Sequence, residues 1–223
     1  MLISLHLPKT AGASFLVSLE DIYGEDLLRD YLDFPINQIP LKRKFDALSK
    51  NLTSRFANLD NYKCIHGHFL PLKYSHLSDA TYITWMRDPI ERLGSHYNYW
   101  IRTYNPNDAG KLHTRVVEEE WSFEKFCFSQ EMRNFYAKFL WGFDVKRFDF
   151  IGITEHFDSD MTYFADKYLG VSLKNHQMNV NATRDKNSSY FDDLAFKGEV
   201  TKFHSKDVEL YEYALKKRME RIG

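Results

Sequence analysis

The opening of the chain restricts the fold most. Residues 1 to 7 form a short apolar run that ends on Pro8, the pattern of a buried strand. A stretch of small residues from Thr10 to Ser14 follows, and then Phe15, Leu16, Leu19, Ile22 and Tyr23 recur at helical spacing until Gly24 supplies a stop. Strand, tight loop and helix in direct succession make a βα unit, whose natural continuation is a parallel sheet.

The alternation continues. Residues 62 to 66 and 80 to 86 read as strands, the latter rich in β-branched and aromatic side chains. Asp88 and Pro89 offer an N-cap and a first position to a helix through Leu93, Tyr97 and Trp100. Residues 148 to 154 predict another strand, 155 to 169 the helix after it, and 206 to 222 an amphipathic C-terminal helix. Between these, a helix is expected near residues 42 to 56 after a loop bounded by Pro35 and Pro40. Residues 103 to 118 are expected to form a mobile surface loop, 121 to 143 one or two aromatic-rich helices, and 175 to 190 a polar, Asn-rich loop. The expected fold is a single α/β domain over residues 1–223, a central parallel sheet flanked by helices, with ligands at the carboxyl ends of the strands.

Composition narrows the function. With 43% hydrophobic and 27% charged residues in 223, the chain can bury a core and is not of the disordered class. Thirty Lys+Arg against 31 Asp+Glu leave a net charge of -1, which excludes a globally basic surface for nucleic acid and makes any anion site local. Cys64 and Cys127 match no zinc spacing and read as reduced core thiols. No apolar run approaches the ~20 residues of a membrane span, and the N-terminus lacks a basic and apolar leader, so a soluble chain is expected. Aromatics reach 16% and concentrate after Arg87, in residues 97–104 and 121–141. Such faces would suit a sugar ring or an adenine as well as a core.

Three segments carry chemistry. In Leu7-Pro8-Lys9-Thr10-Ala11-Gly12-Ala13-Ser14, small residues at a strand-to-helix junction let backbone N–H groups converge on an anion at the positive end of a helix. It is not the nucleotide-binding loop G-x-x-x-x-G-K-[ST], because Lys9 precedes the small residues. Arg87 stands at the end of an inner strand, where a charge needs an anion or carboxylate, and Ser95 lies two helical turns beyond, so the two converge only on an extended group such as a nucleotide carrying a ribose phosphate. In Cys64-Ile65-His66-Gly67-His68, two histidines end a strand. With no third ligand in sequence a metal is not expected, and His68 is the better placed to take a proton from a hydroxyl, His66 to be structural.

Together, H-L-P-K-T-A-G-A-S-F and M-R-D-P-I-E-R-L-G-S-H-Y resemble the 5′-phosphosulfate loop and the 3′-phosphate motif of the sulfotransferases that use 3′-phosphoadenosine-5′-phosphosulfate (PAPS). The step Ile65-His66-Gly67-His68 is similar to that of the uronyl 2-O-sulfotransferases, and residues 151 to 157 to their later strand-to-helix junction; the likeness spans residues 5 to 157. The resemblance implies a P-loop-like sulfotransferase fold and transfer of sulfonate from PAPS to a hydroxyl, on a carbohydrate, leaving 3′-phosphoadenosine-5′-phosphate (PAP) and needing no metal. Backbone groups of Lys9, Thr10, Ala11, Gly12, Ala13 and Ser14 would hold the 5′-phosphosulfate, and Lys9 would neutralise the leaving oxygen. Arg87 and Ser95 would bind the 3′-phosphate, Arg184 and Lys186 would close over the nucleotide, and His68 would be the base. A cytoplasmic enzyme is expected if the chain is bacterial, and a Golgi-lumen enzyme only if it is a trimmed piece of an anchored protein. The rivals are a P-loop-like nucleotide kinase, which would need a magnesium-binding carboxylate and a Lys after the glycines, and a non-catalytic nucleotide-binding module.

Overall fold

A computed structural model describes residues 1–33, 38–171 and 189–223 of the chain. Five strands form one sheet: β1 (Leu2–Leu5), β2 (Leu27–Arg29), β3 (Cys64–Gly67), β4 (Thr81–Met86) and β5 (Phe150–Ile153). All pairings are parallel and the order is β2-β3-β1-β4-β5. The expected α/β fold is therefore present, with β1 central and the ends of β3 and β4 on either side of it.

Nine α-helices complete the described residues: α1 (Gly12–Tyr23), α2 (Pro40–Ser54), α3 (Pro89–Thr103), α4 (Lys111–Glu118), α5 (Phe123–Cys127), α6 (Phe135–Phe139), α7 (Phe157–Phe164), α8 (Leu194–Phe203) and α9 (Ser205–Ile222). The period-two alternation of the strands sorts them into two layers. Leu2, Ile83, Trp85 and Phe150 point to one face and pack with Phe15 and Leu19 of α1 and Met161 and Phe164 of α7. Ile3, Leu5, Tyr82 and Met86 point to the other and meet Ile90 and Leu93 of α3 and the aromatic rings of α5 and α6. Each such side chain contributes about 1.5–3 kcal/mol by leaving water.

Two buried carboxylates fasten the outer helices. Asp160 accepts from the Ile153 N–H at 2.8 Å and from Arg218 Nε at 2.9 Å and forms an ion pair with Arg221 at 2.5 Å, tying α9 to the end of β5. Asp207, fully buried, accepts the N–H groups of Tyr136 and Ala137 at 3.0 Å each and so seats α6 on α9.

Several expectations are corrected. The polar stretch 103–118 ends in a helix, α4, because Leu112 and Val116, one turn apart, are both buried. The helix expected near residues 42 to 56 is α2, which starts two residues earlier because Pro40 takes its first position. The strand β2 and the helix α8 were not expected. The rings of 97–104 and 121–141 are mainly core: Trp100, Trp121, Phe126, Phe135, Tyr136 and Phe139 are all buried. Tyr99, at 40% exposed, is an exception. No helix of the described residues is long and apolar enough to cross a membrane.

Candidate active site

The loop between β1 and α1 adopts a conformation that costs energy. Lys9 and Ala11 hold left-handed backbone angles, φ 69° and 64°, which for residues with a Cβ costs about 1–3 kcal/mol each and is kept only where the surroundings enforce it. Thr10 supplies one brace: its hydroxyl is buried and donates to the Leu7 carbonyl at 2.7 Å. Ala11 is the N-cap of α1 and gives no side-chain cap, and the first turn carries no acidic residue. The N–H groups that begin α1 are thus left for another acceptor. Gly12 cannot be larger, since a Cβ there would lie 1.9 Å from the ring of His6.

Lys9 places its ammonium 3.8 Å from the ring centre of Tyr99. Burial, then the charges of Arg102 and Arg87, push its pKa down to about 8. It makes no ion pair with a carboxylate among the described residues. A half-buried ammonium beside two guanidinium groups, without a carboxylate partner of its own, describes a place for an anion.

Arg87 follows the last residue of β4. Its Nε stands 3.9 Å from Glu155, a loose pair. Tyr136 clamps the backbone of Arg87, donating to its carbonyl at 2.8 Å and accepting its N–H at 3.2 Å. Asp88 caps α3 by accepting from Ile90 at 2.8 Å and Glu91 at 3.0 Å, so it is not the partner of Arg87. Ser95 is half-buried on α3, two turns on. Glu91 is likewise engaged elsewhere, by the Ser189 hydroxyl at 2.5 Å and by Lys197 at 3.5 Å.

The histidines lie at the ends of β1 and β3, brought together because these strands are neighbours. His66 is 1% exposed; its Nδ1 is 2.8 Å from the Ser4 hydroxyl, and burial followed by the charge of His68 pushes its pKa to about 3. Its buried Nε2 has no hydrogen-bond partner among the described residues. His68 Nδ1 donates to the backbone carbonyl of His6 at 2.5 Å, which fixes the tautomer and leaves Nε2 as an acceptor. Burial lowers its pKa, partly offset by that hydrogen bond, so the imidazole is neutral near pH 7.

His6, Tyr31 and Arg102 had not been singled out. The His6 ring packs 4.3 Å from that of His68, centre to centre, and its Nδ1 is 3.1 Å from the Tyr31 hydroxyl. Of the expected site residues, the loop from Lys9 to Ser14 and His68 meet through His6, while Arg87 reaches the group through its effect on Lys9. Arg184 and Lys186 lie outside the described residues.

A separate groove of about 880 Å³ lies where α2, α4 and α6 approach one another. Lys111, Arg115, Arg133, Lys138 and Lys206 line it with one carboxylate, Glu131. Burial, then the Arg43 charge, brings Lys138 down to about 8, although it donates to the carbonyls of Gln130 at 2.5 Å and Glu131 at 2.9 Å.

Among solved structures, the chain is similar to the crystal structure of a sulfotransferase from Alicyclobacillus acidocaldarius. The two are 14% identical over 95% of this chain and 94% of that one, with a TM-score of 0.47. No protein-family model and no curated protein matches the chain.

Proposed function

We propose that this protein is a sulfotransferase that moves sulfonate from PAPS to the hydroxyl of a carbohydrate acceptor. One observation carries this: a neutral imidazole with a free Nε2 and an uncapped helix start with an uncompensated lysine lie side by side at the carboxyl edge of one sheet, both in contact with His6. Proton removal and anion stabilisation are the two things sulfonate transfer asks of a protein.

The loop suits the 5′-phosphosulfate, because its left-handed residues and its free N–H groups form a cradle that the His6 ring borders at Gly12. When bound, PAPS supplies an activated sulfonate with a phosphate as leaving group. His68 Nε2 takes the proton of the acceptor hydroxyl as that oxygen bonds to sulfur and the bond from sulfur to the phosphate oxygen breaks. The electron pair stays on the phosphate oxygen, beside the Lys9 ammonium and the N–H groups of α1. The proton remains on His68, whose Nδ1–H is already committed to the His6 carbonyl. Arg87 and Ser95 hold the 3′-phosphate.

With most rings after Arg87 taken up by the core, the cation-lined groove is the better surface for the acceptor. Gln38, Pro40 and Lys138 are among the residues that line it. Its charge favours a saccharide carrying carboxylate or sulfate groups.

Calorimetry with PAP and a screen of saccharide acceptors with labelled PAPS test the proposal. PAP should bind without magnesium, and Lys9→Ala and His68→Ala should each lower turnover at least a hundredfold, within the range of losing an acid–base group. A preference for ATP with magnesium, or unchanged turnover in both variants, would overturn it.

A further inference from the structure

We infer that His6 is itself a ligand-contacting residue: Tyr31 holds its imidazole with the proton on Nε2, and that N–H, beside the first residue of α1, donates to a non-bridging oxygen of the sulfonate in transfer. The inference rests on the function proposed above and adds a residue and a role to it.

Three geometric facts carry it. The edge of the ring bearing Cδ2 and Nε2 lies where a Cβ of Gly12 would stand, 1.9 Å from that position, so it borders the N–H groups that begin α1. The opposite nitrogen, Nδ1, faces the Tyr31 hydroxyl at 3.1 Å. With that hydroxyl donating to Nδ1, the ring proton sits on Nε2. Finally, the rings of His6 and His68 are 4.3 Å apart, so His6 lies against both the base and the phosphate loop. A sulfonate lies at that junction if the acceptor oxygen is at His68 and the leaving oxygen at Lys9.

The surroundings keep His6 a neutral donor. Burial and the neighbouring charges of His68, His66 and Lys9 all disfavour the imidazolium. Tyr31, raised to about 12 by burial, keeps its proton throughout the working range. A neutral donor held in place before the reaction costs no reorganisation when charge moves across the sulfonate oxygens, which is the condition under which a single hydrogen bond matters most. Residue 6 therefore serves the reaction twice, with its carbonyl orienting the base and its ring orienting the group transferred.

The test separates the sulfonate from the rest of the nucleotide by using PAP, which lacks it. His6→Ala should lower kcat with PAPS about a hundredfold, the size of losing one preorganised donor, while PAP binds within about threefold of wild type. His6→Gln, which returns an N–H near the Nε2 position, should recover at least tenfold of that loss, and Tyr31→Phe should cost several-fold in kcat with the same unchanged PAP affinity. In the wild type, long-range proton–nitrogen spectra should show the His6 proton on Nε2, and in Tyr31→Phe a mixture of tautomers. A His6→Gln variant no better than His6→Ala, a loss of PAP affinity equal to the loss of turnover, or a His6 proton on Nδ1 would each overturn the inference. Failure of the wild type to bind PAP or to consume PAPS would instead strike the proposed function, so the two failures are distinct.

Discussion

The Lys9 ammonium rests 3.8 Å from the ring centre of Tyr99, where burial first, then Arg102 and Arg87, lower its pKa to about 8. A lysine so placed loses its proton just above neutral pH. The fraction of free enzyme able to stabilise the leaving oxygen therefore falls as pH rises through about 8, while His68, with its pKa below the usual value, is already unprotonated. A plot of kcat/KM against pH should climb only on the acid side of 6.5 and decline above about 8. Lys9→Arg should move the alkaline limb upward, since guanidinium stays charged. An alkaline limb unmoved by that change would assign it to another group.

Glu155 competes for Arg87. At 3.9 Å the pair is loose, and Glu155 also accepts from the Asp88 N–H and the Tyr211 hydroxyl at 3.0 Å each. An arriving 3′-phosphate must displace that contact. Glu155→Gln keeps an acceptor for the Asp88 N–H, turns the second contact round so that the amide donates to the Tyr211 oxygen, and removes the charge, so it should tighten PAP binding several-fold. Arg87→Ala should weaken PAP by tenfold or more, yet leave AMP, which lacks the 3′-phosphate, within about twofold. Calorimetry with the two ligands reads the difference directly, and equal losses for both would take Arg87 out of the 3′-phosphate site.

The parts of this site that the sequence made legible are those whose cause is local. The β1 strand, the small-residue loop and α1 follow one another without a gap, and Asp88-Pro89 announces α3 by its cap. By contrast, β2 is three residues long, too short for a run, and α8 buries only Val200 of its ten residues. α4 shows two apolar contacts in a polar stretch, which reads as a loop until both are seen to face the core. The role of His6 was hidden for a different reason. Its partners at positions 31 and 68 come to it only through the order β2-β3-β1, a long-range pairing that no window of sequence contains. The aromatic excess misled in the same way, because the rings after Arg87 pack against one another across α3, α5 and α6 rather than facing outward.

Acid should destabilise the fold through its histidines. His6, His66, His68, His96 and His204 are all held below the usual imidazole value by burial first. In the unfolded chain they take up protons near 6.5, whereas the folded chain does so only at lower pH. The unfolded state therefore binds more protons as pH falls below 6.5, and stability is lost progressively on acidification. Asp207, raised to about 6, acts in the opposite sense between its ordinary value and 6, as one group against five. Denaturant midpoints should be level from pH 8 to 7 and fall from 6.5 toward 4. His66→Gln, which removes the group held near 3, should flatten the slope even if it lowers the plateau. A midpoint that rises between 6.5 and 4 would contradict the burial of these rings.

Two glycines should respond to alanine in opposite directions. Gly67 ends β3 directly before His68, and a Cβ there would stand 1.7 Å from the backbone carbonyl oxygen of Asp30. That carbonyl cannot retreat, because the Asp30 N–H is bound to the His66 carbonyl at 2.9 Å and its carboxylate is held by Lys73 at 2.6 Å and the Tyr74 hydroxyl at 2.8 Å. Gly67→Ala must therefore push β2 from β3, costing about 3 kcal/mol or more, the upper range for overpacking. Because the displaced strand end carries His68, activity should fall further than stability alone explains. Gly198, within α8, has nothing within 4 Å of a Cβ position. Alanine there should raise stability by about 0.5–1 kcal/mol, through helix propensity and a less flexible unfolded chain, with turnover unchanged. Thermal melts of the two variants decide the matter, and a Gly67→Ala protein as stable as wild type would mean that β2 and β3 do not approach this closely.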